Sequence, residues 1–163
     1  MRGHGDRVKD LSDTPALRDP RLNTITHEIV RHGLVSSLDE AAAARGVTPA
    51  QVIKTMVVRR SEGEYLFVLV PGDRVISWPK LRSHLDVNRL SMPDAEEARR
   101  VTGYERGTIT PLGAATSWPV LADSSLVGTV SLGGGAHGVS ITASAEDLIR
   151  VLDATVADVT DPV

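Results

Sequence analysis

Ile53-Lys54-Thr55-Met56-Val57-Val58-Arg59-Arg60-Ser61-Glu62-Gly63-Glu64-Tyr65-Leu66-Phe67-Val68-Leu69-Val70 is the stretch in which the hydrophobic period falls to two. Lys54–Arg59 and Tyr65–Val70 read as strands, and Ser61-Glu62-Gly63-Glu64 as the turn that makes them a hairpin. Upstream of it the periods are helical. Pro20 to Leu34 suits a short helix with Leu22, Ile25, Ile29 and Val30 on one face, stopped at Gly33. Ser37 with Glu40 caps an Ala-rich helix closed by Gly46, and Pro49 starts a further turn. Downstream, Ser77-Trp78-Pro79 opens a helix to Leu85, and another runs from Pro93 to Thr102 before Gly103. Short strands are expected at Thr108–Thr110, Pro119–Ala122, Thr129–Leu132, Val139–Thr142 and Thr155–Val159, with a helix from Ser144 to Leu152. Strands that follow one another, with helices inserted irregularly, predict an α+β fold: a mixed, largely antiparallel, curved or barrel-like sheet with surrounding helices.

A chain of 163 residues holds one domain and buries a core without staples. Residues 1–18 are polar and aperiodic and read as a flexible N-terminal arm, leaving 19–163 as the single domain. There is no cysteine, so disulfides, thiolate metal sites and cysteine nucleophiles are excluded. Eighteen Lys and Arg against 21 Asp and Glu give a net charge of −3, which argues against a broad, sequence-blind grip on nucleic acid. The five aromatics, Tyr65, Phe67, Trp78, Tyr104 and Trp118, are too few for a platform stacking many bases. The start MRGHGDRVKD lacks the apolar segment of a signal peptide, and no run reaches membrane-span length, so the cytoplasm is the expected location.

Several apparent motifs dissolve on their spacing. Gly133-Gly134-Gly135-Ala136-His137-Gly138 satisfies GxGxxG but precedes a strand, whereas a dinucleotide fingerprint must open a helix. His27 and His32 are five apart, about 140° around a helix, and cannot share one zinc there. No Walker loop and no Gly-x-Ser-x-Gly elbow occurs. No metal and no cofactor is expected.

Three blocks survive, and in order they resemble the YbaK/ProX family, relatives of the editing domain inserted in bacterial prolyl-tRNA synthetases. The first is Glu40-Ala41-Ala42 … Gly46-Val47 … Val52-Ile53-Lys54-Thr55-Met56-Val57-Val58. The second is Val101-Thr102-Gly103-Tyr104 … Gly107 … Pro111-Leu112-Gly113. The third is Gly133 to Ile141 followed by Ser144-Ala145-Glu146-Asp147-Leu148-Ile149. The likeness spans residues 38–152. It implies a trans-editing enzyme that hydrolyses the ester between a wrong, small amino acid and the tRNA 3′ end, on tRNA for proline. It also implies that Lys54 positions the aminoacyl-tRNA terminus. The Gly107–Pro111 loop, with Thr108 and Ile109, is then expected to line the amino-acid pocket. The family uses no protein nucleophile; the substrate's own groups or a held water assist the attack.

Backbone at Gly134, Gly135 and Gly138 is then expected to supply N–H donors and room, with His137 as a polar contact or proton relay. Tyr104 and Trp78 are candidates to stack on the terminal adenine, and Arg99, Arg100 and Arg106 to touch phosphates. The expected partners are the tRNA acceptor end and an aminoacyl-tRNA synthetase, with no membrane. Plainer readings stand beside these: a lysine at a strand head commonly lies along a core, and Gly107 and Pro111 also shape turns. The rival functions are a non-catalytic module holding a tRNA end or a synthetase, and an esterase for small metabolites.

Overall fold

A computed structural model describes residues 13–163. In chain order the elements are β1 (His27–Arg31), α1 (Leu38–Arg45), β2 (Ile53–Ser61), β3 (Glu64–Pro71), β4 (Arg74–Ile76), α2 (Trp78–Leu85), α3 (Ala95–Thr102), β5 (Val120–Asp123), β6 (Thr129–Gly133), β7 (Val139–Ser144), α4 (Ala145–Val151), β8 (Thr155–Ala157) and β9 (Thr160–Pro162), with short 3-10 turns at Pro20–Thr24 and Pro49–Gln51. The expected α+β class holds. Sheets β2-β3-β5-β8, β1-β7-β6 and β4-β9 all stay open.

The hairpin is the axis of the fold. β2 and β3 pair antiparallel with Lys54 opposite Val70, and β5 and β8 then add parallel to β3 and β5. β3 is therefore central and covered on both faces, which is why Leu66 to Val70 are all buried and its sequence is a continuous apolar run. Tyr65, Phe67 and Leu69 face a core shared with Leu132 and Ile141 of the second sheet and with Leu148 of α4. Leu66, Val68 and Val70 face Leu81 of α2 and Leu121 of β5.

The local signals explain the helices. Ser37, Ser77, Asp94 and Ser144 each accept a hydrogen bond from the backbone N–H three residues on. Gly46 at φ 76° and Gly103 at φ 84° end their helices in the left-handed region, where a Cβ is unfavourable.

Three expectations change. The helix expected from Pro20 to Leu34 is a 3-10 turn capped by Asp19, followed by a strand. The β-branched run Thr24-Ile25-Thr26 and the pair Ile29-Val30 favour extended backbone, and pairing of Ile29 with Ile141 decides it. Thr108–Thr110 is loop, not strand; Thr108 N–H donates to Glu105 O in a turn. Strands β4 and β9, each three residues, give too short a pattern to be seen in sequence. Of the arm expected over residues 1–18, the first twelve lie outside the described residues. Beyond them Thr14 to Arg18 form a turn in which Ala16 is wholly buried beside Gly113. Among the described residues no helix is long and apolar enough to cross a membrane.

Candidate functional site

The open edge of β2 borders a cavity of about 310 Å³. Val52 to Val57 form one wall. The last turn of α1 contributes Arg45, the segment before α3 contributes Met92 and Pro93, and α3 itself contributes Ala98. Arg106, Gly107 and Ile109 come from the loop after α3, and Gly133 from the end of β6. The walls are mostly apolar, and among the described residues the charged groups lining them are Arg45, Lys54 and Arg106, with no carboxylate. Such a lining makes the cavity electropositive, which favours an anionic ligand.

Each cation is placed by a different device. Lys54 leaves the head of β2 and its Nζ donates to the carbonyl of Arg74, 2.6 Å away. Burial holds its pKa below the ordinary lysine value, and the charge of Asp73 only partly opposes this. Arg45 reaches across from α1, with Nη1 donating to Ser131 Oγ at 3.3 Å, while its buried Nε has no partner. Burial lowers its pKa as well. Arg106 is exposed at the mouth.

The loop carrying Gly107 is held by its own polar groups. Thr108 Oγ1 donates to Glu105 O at 2.7 Å, and Thr108, Thr110 and Pro111 are buried beneath it. Gly107 sits at φ 89°, and a Cβ there would stand 3.4 Å from His137 Cε1. So Lys54, Gly107 and Ile109 line the cavity, while Thr108 and Pro111 support the loop from below.

The glycine-rich turn is placed differently. Its first member, Gly133, borders the cavity, but Gly134, Gly135 and Gly138 do not. Gly134 N–H donates to Val139 O at 2.9 Å, and its carbonyl accepts from Thr14 Oγ1 at 2.6 Å. Gly135 lies under Tyr104, and Gly138 lies against the carbonyl of His32. His137 is exposed and lines a separate shallow hollow with His32 and Leu34, its ring touching the main site only through Gly107.

Tyr104 is 4% exposed and its hydroxyl donates to Leu112 O, so it belongs to the core; Trp78 packs against the α2-side core. Neither is placed to stack on a base in the cavity. Arg100 lines another groove, with Tyr65 and Glu97. Arg45 and Met92 were not among the expected site residues, and Gly133 stood only at the head of the third sequence block. Arg45 looked like an ordinary basic residue in the last turn of a helix, and its neighbour Ser131 is 86 positions away.

A model of the aminoacyl-tRNA editing domain matches residues 32–151. Among curated proteins, the chain is similar to the proline–tRNA ligase of Geobacter sp. (strain M21), 37% identical over 92 residues, 56% of this chain and 16% of that protein. It is likewise similar to the proline–tRNA ligase of Bacillus licheniformis, 28% identical over 103 residues, 63% of this chain and 18% of that protein. It spans less than a fifth of the length of these relatives. A solved structure described as a candidate trans-editing enzyme for prolyl tRNA synthetase superposes with a TM-score of 0.78 at 24% identity, covering 91% of this chain and 98% of that one. At that identity the likeness is one of fold.

Proposed function

The chain belongs to the aminoacyl-tRNA editing domain family, and from that premise we propose that it hydrolyses the ester joining a small, wrongly attached amino acid to the 3′ end of a tRNA. The observation that carries this reading is the cavity, apolar in its walls and furnished with Arg45, Lys54 and Arg106 but no carboxylate. A tRNA terminus brings a phosphate and a ribose, and an aminoacyl group brings a compact side chain. Cations suit the first and apolar walls the second. A volume near 310 Å³ admits a small side chain with part of the nucleotide.

The chemistry follows from what lines the cavity. Among the described residues Thr55 carries the one hydroxyl lining the cavity, and no serine, histidine or carboxylate lines it to form an acyl-enzyme or act as base. Hydrolysis then rests on holding the ester, on water or the ribose hydroxyl as the attacking group, and on stabilising charge at the carbonyl oxygen. In this reading Lys54 and Arg45 fix the terminal phosphate. The relatives point to tRNA for proline as substrate and to a prolyl-tRNA synthetase as the source of the mischarged product, in the cytoplasm.

The test is to incubate the protein with a panel of tRNAs each charged with a different small amino acid. Amino acid released with turnover from at least one of them, and much less with Lys54→Ala, is the expected result. Binding without release from any of them would leave a binding module and sink the hydrolase.

A further inference from the structure

The wall of the cavity formed by β2 is an unpaired strand edge, and its polarity is readable. In an antiparallel pair, one residue's N–H and C=O point to the same edge and alternate residues use opposite edges. Arg59 N–H donates to Ser91 O at 2.7 Å and Ser91 N–H to Arg59 O at 3.1 Å, on the edge away from β3. The register of β2 with β3 is regular from Ile53 to Arg59. Thr55 and Val57 therefore turn their N–H and C=O groups to that same outer edge. It is closed at one end by Arg59–Ser91 and at the other by the parallel bridge Val52–Ser131. Between these closures no strand among the described residues pairs with Thr55 or Val57 on the outer edge, and both residues line the cavity. Thr55 Oγ1 is buried there and also lacks a partner. An unpaired strand edge offers backbone donors and acceptors to an added segment, so such an edge invites a ligand.

Resting on the hydrolase reading above, we propose that Thr55 receives the aminoacyl group as if it were one residue of an added strand. Its N–H donates to the ester carbonyl oxygen and its C=O accepts from the α-ammonium group. An aminoacyl ester carries the same N–Cα–C=O unit as a strand residue, and one open strand residue offers the complementary donor and acceptor.

The direction of this pairing agrees with the charges around it. In antiparallel pairing the incoming carbonyl lies opposite the N–H of Thr55, on the Lys54 side. The ribose and phosphate beyond the ester oxygen are thereby led toward Lys54 and Arg45, and the ammonium is led away from both cations. The substrate side chain falls on the face shared by Ile53, Thr55 and Val57, against which Ile109 packs. When water adds to the carbonyl carbon, negative charge gathers on the oxygen held by the Thr55 N–H. As that charge returns, the bond to the ribose oxygen breaks and the ribose oxygen takes the proton.

The experiment replaces Thr55 by its α-hydroxy analogue through nonsense suppression, which exchanges the N–H for an ester oxygen, removes no donor from the β2–β3 ladder and weakens only the Lys54 carbonyl as an acceptor in it. On a tRNA that the unmodified protein deacylates, kcat is expected to fall about 100-fold or more. Thr55→Val, which keeps the backbone pair and removes only the hydroxyl, is expected to retain at least about ten times the kcat of the α-hydroxy protein. Thr55→Pro, which removes the outward N–H together with the hydroxyl and fixes φ, is expected to show at least the same loss. Undiminished kcat in the α-hydroxy protein, or an equal loss in Thr55→Val, overturns the backbone role while leaving the hydrolase reading intact. An unmodified protein inactive on every charged tRNA overturns both.

Discussion

The open edge of β2 and the turn from Gly134 to Gly138 both present backbone for close approach, and the fold uses them in opposite ways. At β2, side chains and backbone border a cavity, and no strand among the described residues pairs with Thr55 and Val57 there. At the turn, the glycines let backbone approach other parts of the same chain. Gly134 is tied to Val139 and Thr14, Gly135 lies beneath Tyr104, and Gly138 abuts the carbonyl of His32. Glycine density marks close approach, and only the third dimension says whether a ligand or the protein itself does the approaching.

Substitutions at the two regions should therefore separate activity from stability. Lys54→Met is expected to lower kcat/KM about 100-fold on the charged tRNA, the scale of a lost charge-assisted contact. Its melting temperature should not fall by more than about 3 °C, because burial already disfavours the ammonium. A large loss of stability with activity per folded molecule retained would reverse the roles of the two regions. Gly138→Ala should do the converse. With φ 79° and a Cβ placed 2.4 Å from His32 O, it is expected to cost about 2 kcal/mol. Calorimetry should show a drop of about 6 °C, with kcat unchanged at a temperature where the protein is folded.

Gly107→Ala lies on the boundary between the regions, because its left-handed φ of 89° is a strain and its neighbour His137 is a flexible side chain. About 1 kcal/mol of stability and a several-fold rise in KM are expected, from denaturant melts and steady-state kinetics.

Two pH effects complete the contrast. Activity that needs the Lys54 ammonium should disappear as pH rises through a midpoint below the ordinary lysine value. Tyr104, beneath the turn, is pushed up to about 12, first by burial and then by the charge of Asp19. Its folded pKa lies above the unfolded one. The stability it contributes is therefore complete below about pH 10 and lost as pH rises toward 12. Tyr104→Phe should flatten that alkaline decline in urea titrations, at the expense of about 1 kcal/mol at neutral pH for the lost bond to Leu112.

The hairpin, the capped helices and the three sequence blocks were legible because each rests on neighbours a few positions apart. Ser37 reaches the N–H of Glu40, Gly46 turns left-handed at once, and β3 declares its burial by its own apolar run. The strand β1 was misread because Leu22, Ile25 and Ile29 mimic a helical face, and what overrides that spacing is the pairing with β7 more than 100 residues later. Tyr104 shows the same limit: a lone aromatic beside a loop looks available for stacking, and only packing against Leu112 and Gly135 shows it spent.

Sequence alone determined the hairpin, the capped helices, the family likeness and the place of Lys54 at a strand head, since periodicity, caps and motif order are local properties of a chain. Tertiary structure decided which residues share the cavity. Arg45, Lys54, Arg106 and Gly133 come from four separate segments, and their meeting depends on how three open sheets stack. It also decided that one strand edge stays unpaired beside them, because an edge is open or closed only by what lies next to it in space.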